Sequence, residues 1–202
     1  MDVSKLVMIF ISMVFVNNFI LSKFLGLCSF IGVSKETGPA VSMGLAVTFV
    51  TTMSSIITWF IYRFVLIPFN ITYMRTIFFI LVIATFVQLV EMFIRKTSPH
   101  LYKFFGIYLP LITVNCAVLG VAVLNSQTFF LDRTVVKGSF VLSLTQGFFA
   151  GIGYCLAMLL MSGIRERLEL VEVPQSFKDV PLAFIIASLM SLSFMGFSGF
   201  KF

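Results

Sequence analysis

Histidine is nearly missing from this chain: His100 is the single copy, in a stretch that reads as a loop. One imidazole in a loop leaves no hydrolase constellation of the Ser-His-Asp or Cys-His kind. Cysteine is scarce too. Cys28, Cys116 and Cys155 are the three copies, all in apolar segments and none in a Cys-x-x-Cys pair. That spacing excludes a disulfide scaffold and a c-type haem attachment site. Neither Gly-x-Gly-x-x-Gly nor a P-loop occurs, so no motif for a nicotinamide or other nucleotide is present. Charge is the largest deficit, with Asp, Glu, Lys and Arg making up only 11% of the 202 residues.

What fills the chain instead is apolar. Hydrophobic residues reach 59% and the mean hydropathy is +1.09, against roughly 45–50% apolar residues in soluble domains. A bilayer core about 30 Å thick takes roughly 20 apolar residues per helix, which leaves room for about six spans and little else. The net charge of +6 does not indicate nucleic acid. Its 14 Lys and Arg are scattered through short loops and read as anchors flanking a membrane. The apolar run after Met1–Lys5 continues through Asn17, Asn18 and Lys23 without a small-residue cleavage site, so a retained first span is expected rather than a signal peptide.

Breaks at charged and Pro/Gly-rich positions divide the chain into six apolar segments: 6–31, 39–62, 76–93, 101–124, 139–161 and 181–200. Each is expected to be helical, because backbone facing lipid must satisfy its own hydrogen bonds. The second and fifth carry small residues at helical spacing, Ala40, Gly44, Thr48 and Thr52 in one and Ser143, Gly147 and Gly151 in the other. Such stripes let helices pack closely.

Two internal matches organise these segments. Residues 24–32, Phe-Leu-Gly-Leu-Cys-Ser-Phe-Ile-Gly, align with residues 112–120, Ile-Thr-Val-Asn-Cys-Ala-Val-Leu-Gly, and both read Cys-x-x-x-Gly. Ile83-Ala84-Thr85 with Leu89 and Met92 matches Ile186-Ala187-Ser188 with Leu192 and Met195. The expectation is one membrane domain over 1–202 with repeats over about 1–97 and 98–202. Three helices per repeat is an odd number, so the halves enter from opposite sides, as inverted repeats. The expected fold is therefore an all-α integral membrane protein of six transmembrane helices in two inverted three-helix repeats. Seven basic residues on the loop side opposite the termini against six on the terminal side tilt the termini outward.

The first and fourth helices are expected to be broken. Asn17, Asn18, Lys23 and Gly26 precede Cys28, and Gly106, Pro110, Thr113 and Asn115 precede Cys116. Polar residues, Gly and Pro at membrane depth imply helices that line protein or a cavity. Exposed N–H groups at such a break favour an anion, of which a metal-bound thiolate is one. Two thiolates are too few for tetrahedral zinc or a conventional 2Fe-2S cluster. A metal held by Cys28 and Cys116 would need two more ligands from another subunit. The alternative for each cysteine is small apolar filler. Cys155 lacks a repeat counterpart and reads as packing. Glu91, a turn after Gln88, reads as an i,i+4 partner of Arg95 or as part of an ion path. Lys23 reads as snorkelling or as compensating a nearby charge. Arg165, Glu166, Arg167 and Glu169 read as a solvated loop after the fifth helix.

Val-Asn-Asn-Phe-Ile-Leu-Ser-Lys-Phe-Leu-Gly-Leu-Cys (16–28), Gly-Val-Ser-Lys (32–35) and Gly-Ile-Tyr-Leu-Pro-Leu-Ile-Thr-Val-Asn-Cys-Ala-Val-Leu-Gly (106–120) resemble the RnfA/RnfE and NqrD/NqrE family of membrane proteins. The likeness spans essentially the whole chain, including Gly163-Ile164-Arg165-Glu166 and Phe194-Met195-Gly196-Phe197-Ser198-Gly199. Stretches 16–23 and 74–84 are similar to the A branch of the Rnf group; Ser29 departs from it, where proline is common. This resemblance implies a subunit, not catalytic alone, of an ion-translocating ferredoxin:NAD oxidoreductase in a bacterial or archaeal cytoplasmic membrane. It implies a 2Fe-2S cluster shared with a homologous E-type subunit, two cysteines from each, here Cys28 and Cys116. Other implied partners are the B, C, D and G subunits, with electron flow coupled to Na⁺ or H⁺. No flavin is implied on this chain, which lacks the Ser/Thr-Gly-Ala-Thr flavin-attachment pattern. The alternatives are an NqrE-type subunit of a Na⁺-translocating NADH:quinone reductase, a small secondary transporter with inverted repeats, and a purely structural scaffold.

Overall fold

A computed structural model describes residues 3–69, 72–97, 109–129, 139–171, 174 and 180–196. Every regular element among them is helical. In chain order these are α1 (Val3–Ile11), α2 (Leu27–Val33), α3 (Thr37–Ile61), α4 (Arg75–Thr97), α5 (Leu109–Thr113), α6 (Cys116–Phe129), α7 (Ser139–Leu168) and α8 (Val180–Met195). A π-helical turn, Ser12–Val16, extends α1, and another, Tyr62–Leu66, carries α3 on to Phe69.

Four helices are long and apolar enough to cross a membrane: Thr37–Phe69, Arg75–Met92, Pro110–Thr128 and Ser139–Leu168. Val7–Val16 and Val180–Met195 are shorter apolar helices. The first apolar segment falls short because its helix stops at Val16. Several helix ends differ from expectation. α4 continues to Thr97, and α7 runs to Leu168, seven residues past the expected end. The fourth segment is helical from Leu109; its expected start at Leu101, along with Gly106 and His100, lies outside the described residues.

The antiparallel pair α3 and α7 forms the centre. Burial recurs on α3 at Ala40, Met43, Gly44, Val47, Val50, Thr51, Ser54, Ser55 and Thr58, a three-and-four spacing that makes one face. Small residues bring the backbones together, as their stripes predict. A Cβ built on Gly151 would sit 2.6 Å from Thr48 Cα, and one on Gly44 would sit 2.7 Å from Cys155 Sγ. One on Gly147 would collide with Ser55 Oγ. Ser55 and Ser143 Oγ each accept from Asn125 Nδ2, at 3.1 Å, which ties α6 to the pair.

The outward faces are apolar. Leu45, Phe49 and Phe60 on α3, Ile77, Ile80, Leu81 and Leu89 on α4, and Phe184, Leu189 and Leu192 on α8 are all exposed. So much exposed apolar surface suits lipid or partner helices rather than water. Some of the matched positions share their burial and others do not, Ala84 being intermediate where Ala187 is buried and Phe24 exposed where Ile112 is buried. Ile83 and Ile186 are buried, while Leu89 and Leu192, and Met92 and Met195, are exposed.

Arg165 and Glu166 belong to α7 itself, which corrects the expected solvated loop. Arg165 is only 9% exposed, and its Nη1 donates to Ile31 O at 2.7 Å and Ser34 Oγ at 3.0 Å. Glu166 Oε1 accepts from Thr37 N at 2.9 Å. Consecutive residues thus close two helix ends: the guanidinium satisfies a carbonyl at the end of α2, and the carboxylate receives a free N–H at the start of α3.

Candidate functional site

Both expected helix breaks are present, and each cysteine of the matched pair starts the helix beyond its break. After the π turn, the chain leaves helical geometry at Asn17 and re-enters it at Leu27. Asn18 holds this break from inside the protein. Its Nδ2 donates to Val14 O at 3.2 Å and to Gly153 O at 2.9 Å, while its Oδ1 accepts from Ile20 N at 3.2 Å. One buried amide thereby pairs two backbone groups that the lost helix no longer satisfies, Val14 O and Ile20 N, and ties them to α7 at Gly153 O. Phe19, Ile20 and Leu21 then turn into the core.

Close to Cys28 the backbone enters the left-handed region twice, at Phe24 (φ 54°) and Gly26 (φ 84°). A positive φ at a bulky residue is uncommon, and it leaves the Phe24 ring half exposed. Gly26 is where glycine is needed. Besides its φ, a Cβ there would lie 3.0 Å from Asn115 Oδ1 and 3.2 Å from Tyr154 Cε2. In the second half the break is shorter, Val114 and Asn115 alone, with Pro110 in the first turn of α5, where its missing N–H costs nothing. Asn115 Oδ1 accepts from Ala117 N at 3.0 Å, so its side chain takes up a free N–H at the start of α6.

These two breaks meet. Asn115 Nδ2 donates to Ser29 Oγ at 3.3 Å, and Ser29 Oγ lies 2.6 Å from Tyr154 Oη. Ser29 follows Cys28 in the chain and Asn115 precedes Cys116, so the residues beside the two thiols are in direct contact. Both cysteines are free and exposed. Cys116 Sγ has only a weak contact to Val114 O, at 3.9 Å.

The remaining candidates separate from this pair. Cys155 is half-buried and packs on Gly44, in keeping with its reading as filler. Asn17 Nδ2 bonds Ser12 Oγ at 3.2 Å. Lys23 and Gln88 are exposed and Glu91 is intermediate; the Arg95 side chain expected to pair with Glu91 is outside the described residues. Nothing in the sequence singled out Tyr154, and Ser29 stood out only as a departure from a common proline; the part each plays depends on a contact across 125 residues.

The donor set suits half of a four-thiolate metal group. Two soft ligands project from neighbouring segments at an open surface, and no group of three or more His, Cys, Asp or Glu able to hold a metal occurs among the described residues. With three cysteines in the sequence and Cys155 packed on Gly44, a complete four-thiolate site needs ligands from outside this chain.

Comparison with known proteins accords with this architecture. Residues 6–201 match a family described as Rnf-Nqr subunit, membrane protein. Among curated relatives, the A subunit of the ion-translocating oxidoreductase complex of Azoarcus sp. (strain BH72) is 51% identical over 196 residues, 97% of each chain. Proteins of the same description from Sodalis glossinidius and from Escherichia coli (strain K12 / DH10B) are each 53% identical over 192 residues, 95% of each chain.

Proposed function

This chain belongs to the Rnf-Nqr family of membrane subunits, and from that membership and its paired exposed thiols we propose that it is the A component of an ion-translocating oxidoreductase complex. In this reading its six apolar segments cross the membrane as two inverted halves, with the termini on the external side. Cys28 and Cys116 hold one half of a 2Fe-2S cluster, and two cysteines of a homologous E-type subunit hold the other. The cluster, when bound, supplies a one-electron relay within the membrane, and B, C, D and G subunits carry electrons to and from it. The electron flow is coupled to movement of Na⁺ or H⁺.

The observation that carries this proposal is the contact of the two breaks through Ser29 and Asn115, beside two thiols that stay open at the surface. A solitary packing cysteine is ordinarily buried. These two are exposed, whereas Cys155 is half-buried against Gly44. Within the relay, this chain's own residues do three things. The thiols serve as ligands, Asn18 and Asn115 keep each break satisfied without water, and the α3/α7 pair fixes the frame around them.

The test is electron paramagnetic resonance of the complex, purified with its partner and reduced. A cluster signal is expected, lost in Cys28→Ala and in Cys116→Ala and kept in Cys155→Ala. An iron-free complex, or a signal indifferent to the first two substitutions, would overturn the proposal.

A further inference from the structure

Resting on that reading, we infer that Tyr154 is a positioning residue for the thiol pair: through Ser29 and Asn115 its hydroxyl sets how the Cys28 and Cys116 segments stand to each other.

Proton bookkeeping around Ser29 leads to this assignment. A hydroxyl has one donor and two acceptor positions. Ser29 Oγ donates to Gly26 O at 3.1 Å and accepts from Asn115 Nδ2 at 3.3 Å. One acceptor position is left, and Tyr154 Oη, at 2.6 Å, fills it as donor. With that bond every position on Ser29 is used. Asn115 is likewise committed on both sides, to Ser29 through Nδ2 and to Ala117 N through Oδ1. A chain of bonds therefore runs from Tyr154 through Ser29 to Asn115 and on to the first turn of α6, passing beside both cysteines, and the Tyr154 hydroxyl also meets the Asn115 side chain directly.

Tyr154 is suited to be the fixed end of this chain. Its side chain is 2% exposed, and its ring lies against Gly26, where an added Cβ would be 3.2 Å away. It stands on α7, which Gly44, Gly147 and Gly151 lock against α3. The cysteine segments, by contrast, are a seven-residue helix after a break and the first turn of another helix. Short segments next to irregular backbone take their orientation from tertiary bonds. The phenol oxygen supplies such a bond, and the buried ring cannot swing away from it.

Two readouts test this, one of them independent of iron. In the full-length chain carrying Cys155→Ser, dibromobimane fluoresces only when it bridges two thiols. Bridging is expected in this background and is expected to be lost with either Cys28→Ser or Cys116→Ser. Tyr154→Phe, which keeps the ring, and Ser29→Ala are each expected to cut the yield about threefold or more, the scale of one lost hydrogen bond. In the reduced complex, Tyr154→Phe is expected to keep the cluster's iron while altering the g-anisotropy of its resonance. Unchanged bridging with an unchanged spectrum in both variants overturns the inference, as does a background chain that never bridges. A complex without iron in which bridging still falls refutes the cluster and sustains the positioning role.

Discussion

Alanine at Gly151 probes the frame on which the site depends. Its Cβ would fall 2.6 Å from Thr48 Cα and 2.9 Å from Thr51 Oγ1, where ordinary contact begins at 3.4 Å. The nearest obstacle is backbone, so no rotamer change relieves it and α3 and α7 must part by about 0.8 Å along a tight interface. A gap of that size forfeits about a quarter to a half of each dispersion contact it opens, and overpacking of this kind costs about 1–3 kcal/mol. Gly163 supplies the control within the same helix. Nothing lies within 4 Å of a Cβ there, so Gly163→Ala gains helix propensity of up to about 1 kcal/mol without a clash. The two substitutions share that propensity gain, so the clash alone separates them, by about 1–3 kcal/mol. At about 2–4 °C per kcal/mol for a chain of this length, thermal melting of the purified protein in detergent should separate them by roughly 2–12 °C, with Gly151→Ala the lower. Melting points within about a degree of each other would refute the close α3/α7 packing.

Two further substitutions test the tertiary bonds that replace regular helix. Arg165→Gln removes a charge-assisted donor worth about 1.5–3 kcal/mol from Ile31 O and Ser34 Oγ, loosening the connection between α2 and α3; tryptic cleavage after the exposed Lys35 should accelerate about tenfold or more, and an unchanged rate would show that the clamp carries no stability. Asn18→Leu preserves size but strands Val14 O and the Ile20 amide and removes the tie to Gly153 O on α7. It should lower stability by about 1–3 kcal/mol or more and speed hydrogen exchange at Ile20, whereas a wild-type exchange rate there would mean that the break is held by something else.

Much of the architecture was legible because lipid imposes simple rules on sequence. Apolar length located the helices, and the small-residue stripes located the α3/α7 contact, since only Gly, Ser and Thr let two backbones approach so closely. The breaks were legible from Asn17, Asn18, Gly26, Pro110 and Asn115, which are costly in a lipid-facing helix. Helix ends were less so. Arg165 and Glu166 resemble any charged pair at a helix exit, and the bonds they make, with Arg165 buried and Glu166 exposed, go to partners 134 and 129 residues away, which no local pattern encodes.

The cysteines divide along the same line. By itself the sequence showed that Cys28 and Cys116 each open a Cys-x-x-x-Gly stretch after polar residues, Gly or Pro, and that two thiols fall short of a four-thiolate site, because spacing and ligand count are properties of the chain alone. Tertiary structure alone decided that the two breaks touch, that both thiols stay exposed while Cys155 is half-buried, and that Tyr154 stands behind them. Those facts depend on how α7 packs across the bundle, and a hydrogen bond only 2.6 Å long between residues 125 positions apart exists only once that packing has formed.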